Sequence, residues 1–286
     1  MDNTFESFWI TCEDGYQLAA QFYPAQSKKS ANPVLICPAT GITKNFYHAF
    51  ATWLSQQGYE VLSFDFRGIG DSLHGPLKQS DASINDWGTL DIPCAIDALL
   101  EKTQAEQVTL LGHSAGGQLL GIVPNFRKVA KVVAIAGSTG NVKGLKGKTK
   151  FLAPVMFKVI FPISSTLKGY GATQFIGMGE NLPKKVAQQW REFCSNPGYV
   201  KNAIGKTVFQ DFHTEIICPI TSIWASDDEI ATQHNVEELL SLYPNASTKM
   251  LELSPLKLGY KSIGHMLMFK KSHQKIWPLL EQEIQY

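Results

Sequence analysis

A serine set between two glycines, Gly112-His113-Ser114-Ala115-Gly116, is the segment of this 286-residue sequence whose spacing most directly suggests chemistry. It fits the G-x-S-x-G pattern, in which a sharp strand-to-helix turn presents a serine hydroxyl at the end of a sheet. The context agrees, because the apolar run Val108-Thr109-Leu110-Leu111 precedes it and a short helix candidate, Gln118 to Val123, follows. The backbone of such a turn is strained and lies close to its neighbours, so it needs the small residues Gly112 and Gly116. A serine hydroxyl is a poor nucleophile near neutral pH and needs a positioned base. Of the seven histidines, His113 adjoins the serine, but adjacent side chains in a tight turn point apart, and it reads as packing. His234 and His273 lie on predicted helices among polar neighbours and read as solvated. His265 follows Gly264, after the last predicted strand, Thr248 to Leu253. It therefore fits the chain order nucleophile, acid, base.

The acid should come from Ala225-Ser226-Asp227-Asp228-Glu229, after the strand candidate Ile220 to Trp224. A carboxylate there would fix the imidazole tautomer and stabilise the imidazolium formed on attack. Chain order does not choose among the three acids, and one of them could serve only as a helix cap. Two backbone donors are needed for a developing oxyanion. The residue after the serine, Ala115, supplies one. The other should come from Pro38-Ala39-Thr40-Gly41, where Pro38 lacks an N–H and Ala39, Thr40 or Gly41 must donate.

The elements that must position these groups read as a doubly wound α/β fold. Val34 to Cys37, Val108 to Leu111 and Val132 to Ala136 are apolar throughout, as buried parallel strands are, and Val61 to Phe64 and Ile220 to Trp224 are further candidates. Helices are predicted over Phe46 to Gln57, closing at Gly58, over Asp86 to Thr103 with Asp86 as candidate cap, and around Val236 to Tyr243. Phe5 to Tyr23, turning at Glu13-Asp14-Gly15, reads as an antiparallel edge hairpin. The rhythm breaks over residues 140–215, which read as an inserted helical cap dividing a core of residues 1–139 and 216–286. The cap carries eleven Lys/Arg against four Asp/Glu and the core fifteen against twenty-one, a split that the net charge of +1 conceals.

Composition narrows the remaining classes. A net charge near zero gives no global electrostatic case for nucleic acid. Five widely spaced cysteines with no CxxC point to neither a zinc site nor a disulfide framework. Met1 to Glu6 shows no signal-peptide pattern, and the apolar run Phe151 to Ile163 is interrupted by Pro154, Lys158 and Pro162 and reads as too short to span a bilayer. With Lys143, Lys146, Lys148 and Lys150 before it, this run is expected to pack on the core and line the pocket, an interfacial lid being the other reading. A cytoplasmic protein is expected. Gly147-Lys148-Thr149 and Gly205-Lys206-Thr207 lack the Gly five residues earlier that a P-loop requires. Gly68-Ile69-Gly70 lacks the third Gly of a dinucleotide fingerprint, Leu73 standing there. No cofactor or metal is implied.

Taken in order, these residues resemble the α/β-hydrolase superfamily over essentially the whole chain apart from the cap. Asp65-Phe66-Arg67-Gly68-Ile69-Gly70-Asp71-Ser72 is similar to its D-x-R-G-x-G-x-S segment. Pro38 to Gly41, Asp86-Trp87-Gly88, His113 to Gly117 and Gly264-His265-Met266 resemble bacterial predicted α/β-hydrolases near the serine aminopeptidase and monoacylglycerol lipase-like branch. The resemblance implies a mostly parallel central sheet with helices on both faces and an inserted cap. Many relatives place the acid three residues after a Gly. Ala225 holds that Gly position here, which puts Asp228 at the acid position, while Thr232 stands where a proline is common. The usual His-Gly-x oxyanion turn is Pro38-Ala39-Thr40 here, which carries the second donor onto Thr40. The expected activity is cleavage of a carboxylic ester, through an acyl-enzyme, with a small-molecule acyl substrate, an apolar one being the reading that the cap suggests. An amidase or aminopeptidase, a thioesterase, an acyltransferase and a catalytically silent ligand-binding fold are the alternatives.

Overall fold

In a computed structural model, which describes residues 5–27 and 32–285, eight strands form one sheet in the order β1-β2-β4-β3-β5-β6-β9-β10. The masterplan is visible in its first crossovers. β3 (Val34–Cys37) leads through α1 (His48–Gln56) to β4 (Val61–Phe64) on one side. β4 then leads through a long helix back across β3 to β5 (Val108–His113). Parallel crossovers are right-handed, so reversing direction puts the two connecting helices on opposite faces. The turning point lies between β3 and β5, where such folds hold their ligands at the carboxyl ends of the strands. β1 (Glu6–Thr11) and β2 (Gln17–Tyr23) pair antiparallel at the edge, and β2 is antiparallel to β4. Their turn falls at the expected place, with Gly15 at φ +81°. The Met1–Thr4 part of the N-terminal signal-peptide reading lies outside the described residues.

The helix from β4 to β5 begins one turn earlier than its sequence suggests. α2 (Ile84–Asp86) is capped by Ser83, whose hydroxyl accepts from the Asp86 N–H while the Asp86 carboxylate accepts from the Ser83 N–H. Asp86 is thus the third residue of a capping box and not the cap itself. The helix continues through a π turn at Trp87–Asp91 into α3 (Ile92–Thr103). β6 (Val129–Ile135) is followed by the inserted region. There α4 (Thr149–Val155), a π turn (Met156–Ile160) and α5 (Phe161–Leu167) run as one helix. The two-residue strands β7 (Tyr170–Gly171) and β8 (Leu182–Pro183) pair, and α6 (Lys184–Ser195) follows. The chain rejoins the sheet at β9 (Ile220–Ala225), then forms α7 (Gln233–Ser241), β10 (Thr248–Leu253) and α8 (Trp277–Gln285). α1 and α8 meet on one face, with the Phe50 and Trp277 rings 5.6 Å apart.

The D-x-R-G-x-G-x-S segment is a buried ionic scaffold. Asp65 accepts from the Lys44 backbone at 2.6 Å and from its ammonium at 2.8 Å, and Arg67 pairs with buried Asp91 at 2.6 Å. Charges taken this far from water persist only when paired, and here each meets its opposite. The Asp65–Lys44 pair ties the loop after β4 to the residues that follow Pro38–Gly41, so the scaffold braces the turn on which an oxyanion donor was expected.

One predicted helix is absent. Gln118 to Val123 is not an α-helix; short 3-10 turns cover Ser114–Gly117 and Leu120–Ile122 instead. Gly116, Gly117 and Gly121 disfavour helix here. Gly121 also packs directly on a side chain, because a Cβ there would lie 2.1 Å from Nε2 of His213.

Candidate active site

Ser114 stands at the carboxyl end of β5 with φ +48°, a conformation uncommon for a residue with a side chain. The flanking glycines explain how the chain reaches it. A Cβ on Gly112 would lie 2.3 Å from the Gly117 nitrogen, and one on Gly116 would lie 2.2 Å from the Cys37 carbonyl oxygen. The turn folds back on itself and against β3 so closely that no larger residue fits at either position. Ala115 is the second residue of the 3-10 turn Ser114–Gly117, where a backbone N–H has no intrahelical acceptor.

The three successive acids after β9 do three different things. Oδ2 of Asp228 lies 2.8 Å from Nδ1 of His265, and its Oδ1 accepts from the N–H groups of Ile230 and Ala231 at 2.8 and 2.9 Å. Its side chain is fully buried. Burial alone would raise its pKa, but the His265 charge and these hydrogen bonds outweigh burial and hold it below the ordinary carboxylate value. An ionised Asp228 accepts only, so Nδ1 of His265 donates to it, and in the neutral form of the ring this tautomer places the lone pair on Nε2. Asp227 turns the other way. It accepts from the Ser262 hydroxyl (2.7 Å) and the N–H groups of Ile263 (3.0 Å) and Gly264 (2.9 Å), holding the loop that carries His265. Glu229 reaches the inserted region, where its Oε2 accepts from the backbone N–H and hydroxyl of Thr149 at 2.8 and 2.7 Å. It caps α4 rather than α7, which is capped by Thr232.

His113 does more than pack. Its Nε2–H donates to the backbone carbonyl of His265 at 2.9 Å, and the Tyr47 hydroxyl lies 2.8 Å from its Nδ1. Burial, with His265 nearby, pushes its pKa down to about 3, so the ring is neutral and Nδ1 accepts from Tyr47. The Tyr47 oxygen in turn accepts from the Ala39 N–H at 2.9 Å. One relay thus joins the turn after β3, the residue beside Ser114 and the backbone of His265. It also engages Ala39, which leaves the N–H groups of Thr40 and Gly41 as donors from that turn. Nothing in the sequence marks this role of His113, since it depends on a tyrosine 66 residues away.

His273, expected to be solvated, is buried and stacked on Tyr260 at 4.2 Å, with its Nε2–H donating to the Ser262 carbonyl at 2.8 Å. Polar sequence neighbours concealed this, because the contacts come from the preceding loop. His234 is exposed, as expected. Ser114 Oγ and His265 Nε2 have no hydrogen-bond partner among the described residues. The structure therefore brings Asp228 and His265 into contact, and ties His265 to the residue next to Ser114, without a direct Ser114–His265 bond. Such bonds are often open before substrate binds. Among the described residues no cluster of His, Cys, Asp or Glu has the form of a metal site.

The inserted region is fastened on both sides of Ser114. Glu180 donates its N–H to the Gly41 carbonyl at 2.8 Å, beside the turn after β3, while Glu229 holds Thr149 beside Asp228. Both anchors lie at the carboxyl ends of parallel strands.

Residues 32–146 match the family model described as the alpha/beta hydrolase fold. The chain is 28% identical over 206 residues to lipase lipl-3 of Caenorhabditis elegans, covering 63% of this chain and 48% of that protein. It is 27% identical over 180 residues to human gastric triacylglycerol lipase, covering 54% and 45% respectively. The matches thus span about half the length of these curated relatives. An esterase of Pyrococcus furiosus superposes with a TM-score of 0.60 at 17% identity, covering 97% of this chain and 89% of that one, a likeness of fold. The chain has the α/β-hydrolase fold, and the family model of that fold matches its residues 32–146.

Proposed function

We propose that the protein is a serine hydrolase that cleaves a carboxylic ester, with Ser114 as nucleophile, His265 as general base and Asp228 as the acid that orients it. The observation that carries this reading is the 2.8 Å contact between a buried, ionised Asp228 and Nδ1 of His265, which leaves Nε2 free as a base. Ser114 Oγ attacks the ester carbonyl as Nε2 takes its proton, and the carbonyl electrons move onto oxygen. The N–H groups of Ala115 and Thr40 receive that oxyanion, Ala39 being engaged by Tyr47. Collapse of the tetrahedral adduct expels the alkoxide, which takes the proton from Nε2 and leaves Ser114 acylated. Water repeats the sequence, giving its proton to Nε2, releasing the carboxylic acid and restoring the serine. Asp228 stays ionised throughout and stabilises the imidazolium between the two proton transfers.

A panel of p-nitrophenyl esters of graded chain length, run beside aminoacyl-arylamides, tests this reading. Ester turnover by the wild type and its loss in Ser114→Ala are expected. Arylamide hydrolysis exceeding that of every ester would transfer the site to amide chemistry.

A further inference from the structure

The helix Thr149–Leu167 faces outward with the wrong polarity for water. Phe151, Val155, Val159, Ile163 and Leu167 recur every fourth residue, and all are exposed, Phe151 by 73% and Leu167 by 79%. Leu152 adds to the stripe at its start. An i+4 row on an ideal α-helix rotates by about 40° per step. The wider π turn at Met156–Ile160, lying between Pro154 and Pro162, takes back part of that rotation and keeps the row on one side. The other side is already used: Ala153, Met156, Phe157 and Phe161 are buried in the protein core. Only part of Phe151 to Ile163 is therefore available to line a pocket. By length and composition this 19-residue helix could cross a bilayer, contrary to the expectation from its interrupted apolar run. Its packed inner face argues instead that it lies along a surface.

The charge around it identifies the surface. Residues 140–179 contain Lys143, Lys146, Lys148, Lys150, Lys158 and Lys168 and not one Asp or Glu. All six lysines are exposed, and none is in an ion pair among the described residues. An apolar stripe flanked by basic residues is what an interfacial helix presents to anionic lipid headgroups, with side chains in the acyl boundary and ammoniums among the phosphates. We propose that this helix docks the protein, lying in plane, on an anionic phospholipid bilayer. A second copy of the chain is disfavoured as occupant, because two such lysine-flanked faces would repel each other. Through Glu229, which caps the helix and adjoins Asp228, the docked element is attached directly to the candidate site.

The test is cosedimentation of the full chain with vesicles of ether-linked phosphatidylcholine, with and without about 30 mol% ether-linked phosphatidylglycerol. Ether lipids offer no ester, so the outcome does not depend on the chemistry of Ser114. At least tenfold stronger partitioning onto the anionic vesicles is expected, falling as NaCl is raised. Val155→Ser/Val159→Ser/Ile163→Ser should weaken it at least tenfold with an unchanged circular dichroism spectrum. Phe151→Ser/Leu167→Ser, at the two ends of the helix, should do the same if the triple variant does not fold. Lys143→Gln/Lys146→Gln/Lys148→Gln/Lys150→Gln should abolish the preference for anionic vesicles. Failure of the wild type to bind, or binding unaffected in folded stripe variants, would overturn the proposal. So would a concentration-dependent dimer that the serine variants dissolve, which would give the stripe to a second copy.

Discussion

Asp227, Asp228 and Glu229 show how little a side chain's identity says about its work until its partners are known. Each is a carboxylate in one short turn, yet one holds the His265 loop, one holds the imidazole and one caps the helix of the inserted region. If Asp228 orients the base, Asp228→Asn should lower kcat by about 10⁴ with little change in KM, through the wrong imidazole tautomer. Asp227→Asn keeps an acceptor for the loop and should cost less than about tenfold. Steady-state kinetics on the two variants distinguishes these roles, and equal losses would deny Asp228 its special place. His113 carries a second prediction. Its folded-state pKa of about 3 lies below the ordinary 6.5, so on acidification the unfolded chain takes up a proton before the folded one does. Its contribution to stability is therefore complete above about pH 6.5 and is lost as pH falls toward 3. Buried His213, also held low by burial, acts in the same direction, while Asp228 yields only at lower pH. Urea midpoints measured from pH 7 to 4 should fall less steeply in His113→Gln than in the wild type.

At the scale of elements, the turn at Ser114 is limited by contact distance. Gly116→Ala places a Cβ 2.2 Å from the Cys37 carbonyl, against backbone that cannot step aside. We expect it to cost about 3 kcal/mol or more, read as a fall in Tm. Gly117→Ala meets the Ala134 methyl and the Gly112 carbonyl oxygen no closer than 3.0 Å and should be milder. Glu229→Gln tests the attachment of the inserted helix, because it weakens the cap on Thr149. Amide exchange over residues 146–155 should accelerate in this variant while the sheet stays protected. The buried strands were legible in the sequence because a short, mostly apolar run leaves few other structures open to it, and β3 and β4 have the expected limits. The turn at Ser114 was legible because its glycines serve a local need. The missing helix after Ser114 was not, since Gly121 packs against His213, ninety-two positions away along the chain. Nor was the outward stripe, because apolar content reveals that a helix has a greasy face but not whether the core or the solvent receives it. The division among the three acids depended on loops that only the assembled sheet brings together.

For the molecule as a whole, near-zero net charge hides a basic inserted region on an acidic core. This separation should govern where the protein goes more than how it reacts, since screened surface charge acts weakly on a neutral substrate. With a neutral soluble ester, kcat/KM should change less than about threefold between low and high salt, whereas vesicle binding should fall steeply. A steep loss of ester turnover with salt would instead place the lysines in the site. In the proposed function, the fold assembles an activated serine at Ser114 from a turn after β5, an acid after β9 and a base after β10. The most direct measurement is intact-mass analysis, with peptide mapping, after exposure to a fluorophosphonate. A single covalent adduct on Ser114 is expected, absent from Ser114→Ala and strongly slowed in His265→Ala. An unmodified protein, or an adduct on another residue that persists in Ser114→Ala, would contradict it.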